Sequence, residues 1–72
     1  MMHVTLWRKD DVQSGVSLVY LGDAVVCEYN NEGRQTPHYF KTKAEAVDFI
    51  IRSSYGLLSA GYEVFEPEED SN

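Results

Sequence analysis

The chain has little that would staple a small fold together. Cys27 is its only cysteine, so no disulfide can form within it. It has two prolines and five glycines, the glycines scattered singly, which leaves no glycine-rich phosphate loop. No apolar run approaches the roughly 20 residues of a membrane helix, and no leading stretch reads as a signal peptide. A lone thiol inside a strand-like run fits a reducing compartment. The expectation is a cytoplasmic protein with no membrane association. At 72 residues the chain supports one core. Domains this small often need oligomerisation in place of a disulfide or metal.

Soft metal ligands are equally scarce. His3, Cys27 and His38 stand at no short ligand interval, so no metal and no cofactor is expected. Carboxylates for acid and base work would have to come from Asp10, Asp11, Asp23 and Glu28. These fall in turns or on a strand face, where nothing in so thin a domain would shift their pKa. No catalytic residues are assigned, and the expectation is a non-enzyme.

What the chain does have is acid. Twelve Asp and Glu against six Lys and Arg give a formal charge of −6. Glu66, Glu68, Glu69 and Asp70 hold four of the negatives, with Pro67 among them. The reading is one domain over 1–65 and an acidic, solvated tail over 66–72.

Along the body, strand patterns come first. His3 to Arg8 alternates, with Val4 and Leu6 on one side and Thr5 and Trp7 on the other. A polar loop is expected over 9–15, then strands over 15–21 and 24–29, joined by Gly22-Asp23 in a type II′ turn. The second strand is apolar on both faces and should lie centrally or be covered by a partner chain. After the turn cluster Asn30-Asn31-Glu32-Gly33 comes a fourth strand, set at an edge or bulged by Pro37.

Thr42 followed three residues later by Glu45 predicts a capped helix, and Ala60-Gly61 its stop. Ala44, Val47, Ile50, Ile51, Ser54 and Leu58 form the expected buried stripe. Gly56 is expected to loosen the last turn. A short final strand covers Tyr62 to Phe65. The order β-β-β-β-α-β predicts an α+β domain, an antiparallel sheet of four to five strands with one helix packed on one face. One helix cannot cover both faces, which leaves aromatic surface exposed.

Two surfaces suggest themselves for a partner. Asp10, Asp11, Asp23 and Glu28, with Trp7 and Tyr29, would bind a protein. Arg34, Lys41 and Lys43, with Tyr39, would hold nucleic acid by phosphate contact and stacking. From Glu32-Gly33-Arg34 through Tyr39-Phe40, Thr42, Glu45-Ala46, Phe49 and Gly61-Tyr62, the chain resembles the WGR domain. Glu32 stands where that family has its tryptophan. The resemblance implies a nucleic-acid-associated module with a curved antiparallel sheet and one helix, and carries over Gly33 and Arg34. The leading expectation is a small acidic interaction module that binds a protein partner. Phage-encoded inhibitors of nucleic-acid-handling machinery are one such kind, presenting carboxylates where phosphates would go. The alternative is WGR-like nucleic-acid binding. A homodimer through an uncovered sheet face is a further expectation.

Overall fold

A computed structural model describes residues 2–66, without the side chains of residues 11–13. The acidic tail from residue 67 onward lies outside the described residues. The elements are β1 (His3–Arg8), β2 (Asp11–Gly22), β3 (Val25–Asn30), β4 (Gln35–Tyr39), α1 (Lys43–Ser59) and β5 (Glu63–Val64). The strands form one antiparallel sheet in the order β4-β3-β2-β1-β5, with α1 across one face. This is the expected α+β architecture, and the doubly apolar β2 is its middle strand.

Paired residues share a face, so the register assigns the two sides of the sheet. Val4 opposite Leu18, Leu6 opposite Val16, Tyr20 opposite Val26 and Val26 opposite His38 mark the helix side. There Leu18, Val26, Ala46 and Ile50 close the core, with Val4, Val16, Tyr20, Phe40 and Phe49 packed around them. Burying a branched side chain of this kind stabilises by about 1.5–3 kcal/mol, so a handful of residues carries most of the hydrophobic stabilisation.

The helix starts as its sequence signal predicts. Thr42 is extended (φ −135°, ψ 159°), and its Oγ1 accepts from the Glu45 backbone N–H at 3.2 Å. Glu45 returns its carboxylate to the N–H of Lys41 at 3.0 Å, one residue before the cap. The stop is a Schellman motif: Tyr62 N–H donates to Leu57 O and Gly61 N–H to Leu58 O, with Gly61 at φ +98°.

Several expectations need correction. The segment over 9–15 is a two-residue turn, Lys9-Asp10, followed directly by β2, because pairing with β1 overrides its polar composition. The β2–β3 turn falls one residue later than Gly22-Asp23. A register shift between Tyr20 and Gly22 makes Gly22 pair with Val25, and Asp23 (φ 53°) and Ala24 (φ 61°) take the two positive-φ positions of a type I′ turn. The buried helical stripe is rotated: Ala46 and Ile50 are buried and Phe49 packs beside them, whereas Ala44, Ile51 and Leu58 are exposed. The helix also runs past Gly56 to Ser59.

Pro37 lies on the edge strand β4. Phe40 N–H donates inward to Ala24 O and Asn30 N–H to Arg34 O, so by alternation Pro37 is at a position whose backbone points outward. Its missing N–H therefore costs the ladder nothing and denies a donor to any incoming strand.

Candidate functional site

The side of the sheet opposite the helix is uncovered among the described residues. Its rows follow from the register: His3, Val19, Cys27 and Pro37; Thr5, Ser17, Tyr29 and Gln35; Val25 and Tyr39. Trp7 is on the same side, opposite Glu63. None of the ten residues in those rows is Asp, Glu, Lys or Arg. In a chain where a quarter of the residues are charged, these rows are a neutral centre, with Glu63 beside Trp7 on the β5 edge.

Internal contacts brace it. Thr5 Oγ1 and Ser17 Oγ share a hydrogen bond at 2.8 Å across the β1–β2 pair. Phe65 meets Trp7 edge to face, with ring centroids 5.1 Å apart and planes at 78°. Phe65 N–H donates to Thr5 O at 2.8 Å, which ties the end of the described chain to β1. Cys27 is buried, although the face has no covering layer. Its thiol raises the Tyr29 phenol above its ordinary value, first by hydrogen bonding, then by charge repulsion, with burial adding to both. Tyr39 is 75% exposed and projects beside Val25.

The expected protein-binding set divides in space. Trp7 and Tyr29 share the open face. Glu28 is on the helix side, where its carboxylate meets His38 Nε2 at 3.0 Å, and the His38 ring stacks on Phe49 at 4.5 Å. Asp10 sits in the β1–β2 turn, 3.5 Å from Arg8, and Asp11 begins β2. Asp23 sits in the β2–β3 turn, at the opposite end of the sheet. The carboxylates are split among the helix side and the two ends of the sheet, and each end also carries cations, Arg8 and Arg34 toward Asp10 and Lys41 and Lys43 toward Asp23.

The expected nucleic-acid set divides in the same way. Arg34 follows the β3–β4 turn, at the Asp10 end, with its N–H held at 2.9 Å by Asn30 Oδ1. Lys41 and Lys43 lie past the far end of β4, where Lys43 is 5.8 Å from the Tyr20 ring centre. A five-residue strand separates the two groups by about 17 Å or more. Tyr39, nominated with these cations, belongs to the open face with Trp7 and Tyr29. Sequence reasoning missed Phe65, Val19 and Val25. The alternation of Glu63, Val64 and Phe65 would have placed Phe65 on the Trp7 side.

A second apolar feature borders the helix. Met2, Val4, Ile51, Tyr55 and Leu58 line a groove of about 320 Å³ between α1 and β1. No group of three or more His, Cys, Asp or Glu gathers as a metal site among the described residues. No described helix is long and apolar enough to cross a membrane. Comparison with protein-family models, with curated proteins and with solved structures gives no match to this chain.

Proposed function

We propose that this chain is a non-enzymatic interaction module that docks a protein partner on the helix-free face of its sheet, in the cytoplasm. The observation that carries this reading is the concentration of Trp7, Tyr29, Tyr39 and Phe65 on one face whose only paired carboxylate among the described residues is Glu63, on the edge strand opposite Trp7. Aromatic residues set among neutral neighbours are the composition of interface centres, where charged groups are depleted. Asp10 and Asp23, at opposite ends of the sheet, would meet basic groups of a partner at the rim of that surface. An inhibitor of nucleic-acid-handling machinery would use this arrangement.

Direct nucleic-acid binding, as the WGR resemblance implies, is the second reading. Its support is Arg34, exposed and without an ion pair among the described residues. The distance from Arg34 to Lys41 and Lys43 and the net charge of −6 favour the protein reading, because phosphate tracking needs neighbouring cations.

The test compares Tyr39→Glu on the open face with Ile51→Glu beside the helix. Both sites are exposed, so both variants should fold. Capture of a defined partner from an extract of the expressing cells should be lost in Tyr39→Glu and kept in Ile51→Glu. Equal capture by both, or low-salt binding of oligonucleotides abolished by Arg34→Ala, would overturn the reading.

A further inference from the structure

We propose that a second site lies on the helix side of the sheet, a cleft between the end of β4 and α1 that takes an arginine side chain of a protein partner. It is separate from the open face.

The cleft follows from how the helix lies. α1 makes its main contacts with β1, β2, β3 and β5, and β4 extends the sheet beyond them. A cavity of about 370 Å³ is left there, lined by Phe40 just after β4 and by Glu45, Asp48, Phe49 and Arg52 of α1. Those four recur at three- and four-residue steps, so they share one helix face.

Two kinds of group meet in the cleft. Phe40 and Phe49 are half-buried, with ring centroids 5.3 Å apart and planes at 41°. Phenyl faces attract cations, and a flat guanidinium stacks on them. Glu45 supplies the charge. Its Oε1 accepts from the Lys41 backbone N–H, an uncharged donor, and its carboxylate pairs with no cation among the described residues. The Lys43 ammonium is placed over the Tyr20 ring instead, 5.8 Å from its centre.

Arg52 shows which ligand suits the site. Its Nε donates to Asp48 Oδ2 at 2.8 Å, with 78% of the Arg52 side chain exposed. An exposed pair four residues apart on a helix is weak and readily exchanged. A partner's guanidinium set between Asp48 and Glu45 would displace Arg52 and gain the second carboxylate and the rings. The groove beside Ile51 and Tyr55 has no charged lining and lacks this complementarity.

The test follows the backbone amide resonances of the labelled full chain as acetyl-Gly-Arg-Gly-amide is added. Saturable shifts are expected at Phe40, Glu45 and Phe49, and the same peptide with uncharged citrulline in place of arginine should give none. Glu45→Gln keeps an acceptor for the Lys41 N–H and should weaken binding at least about fivefold. Arg52→Gln removes the resident guanidinium and should tighten binding about twofold or more. Asp23→Asn, in the β2–β3 turn, should leave it unchanged. Absence of saturable shifts, equal binding of the citrulline peptide, unaltered binding in Glu45→Gln or weaker binding in Arg52→Gln would each overturn the site. An equal loss in Asp23→Asn would also overturn it, by reducing the effect to general attraction between charges. The probe is a free peptide, so failure here leaves the open-face reading to partner capture by Tyr39→Glu.

Discussion

Phe65 stands edge-on to Trp7 at 5.1 Å, so two residues 58 positions apart in sequence fasten the last described strand to the first. The two-residue β5 has few backbone hydrogen bonds to hold it, and this ring contact supplements them. Phe65→Ala should therefore cost about 1–2 kcal/mol, the edge-to-face contact plus partly buried area. A thermal melt should fall by roughly 4–8 °C per kcal/mol for a domain this size. An unchanged melting temperature would mean that β5 is not held by its side chains.

The helix phase has a paired test. Ile50 is 2% exposed and Ile51 44% exposed. Ile50→Ala should destabilise by about 2–5 kcal/mol, and Ile51→Ala by less than about 1 kcal/mol. The reverse order, read from urea midpoints, would restore the stripe through Ile51 and Leu58.

Glycine substitutions in and after the helix should act in opposite directions. A Cβ at Gly56 meets nothing within 4 Å, so Gly56→Ala should stabilise by up to about 1 kcal/mol through helix propensity alone. Gly61 has equally open surroundings but sits at φ +98°, and Gly61→Ala should cost about 1 kcal/mol. Chemical denaturation of the two variants should move the midpoint in opposite directions. Movement in one direction would break the assignment of the helix end.

Thr42→Ala removes the side-chain acceptor for the Glu45 N–H and should cost about 1 kcal/mol. Hydrogen exchange at Glu45 should speed up with it, while exchange at Ile50 should follow only the global loss of stability. Unaltered exchange at Glu45 would exclude the cap.

Local signals were legible in the sequence because their physics is local. Thr42, Glu45 and Gly61 act within one helical turn, and all three do what their spacing predicts. The helix phase was not legible, since Ala44, Val47, Ile51 and Leu58 recur with the same period as Ala46 and Ile50. Only packing against Leu18 and Val26 decides between them. The β2–β3 turn was misplaced because the register shift before Gly22 has no sequence signature here. The separation of Arg34 from Lys41 and Lys43 follows from strand direction alone and could have been read once β4 was drawn. The neutral face needed the register itself, since it gathers residues from every strand.

The most direct measurement places 5-fluorotryptophan at Trp7, the only tryptophan in the chain, and records its fluorine resonance alone and in an extract of the expressing cells. Because Trp7 lies on the open face, the account predicts a shift or broadening when a partner in the extract covers that face. Tyr39→Glu should abolish the effect. A resonance that stays sharp and unmoved in the extract would contradict the claim that this face is where the protein works.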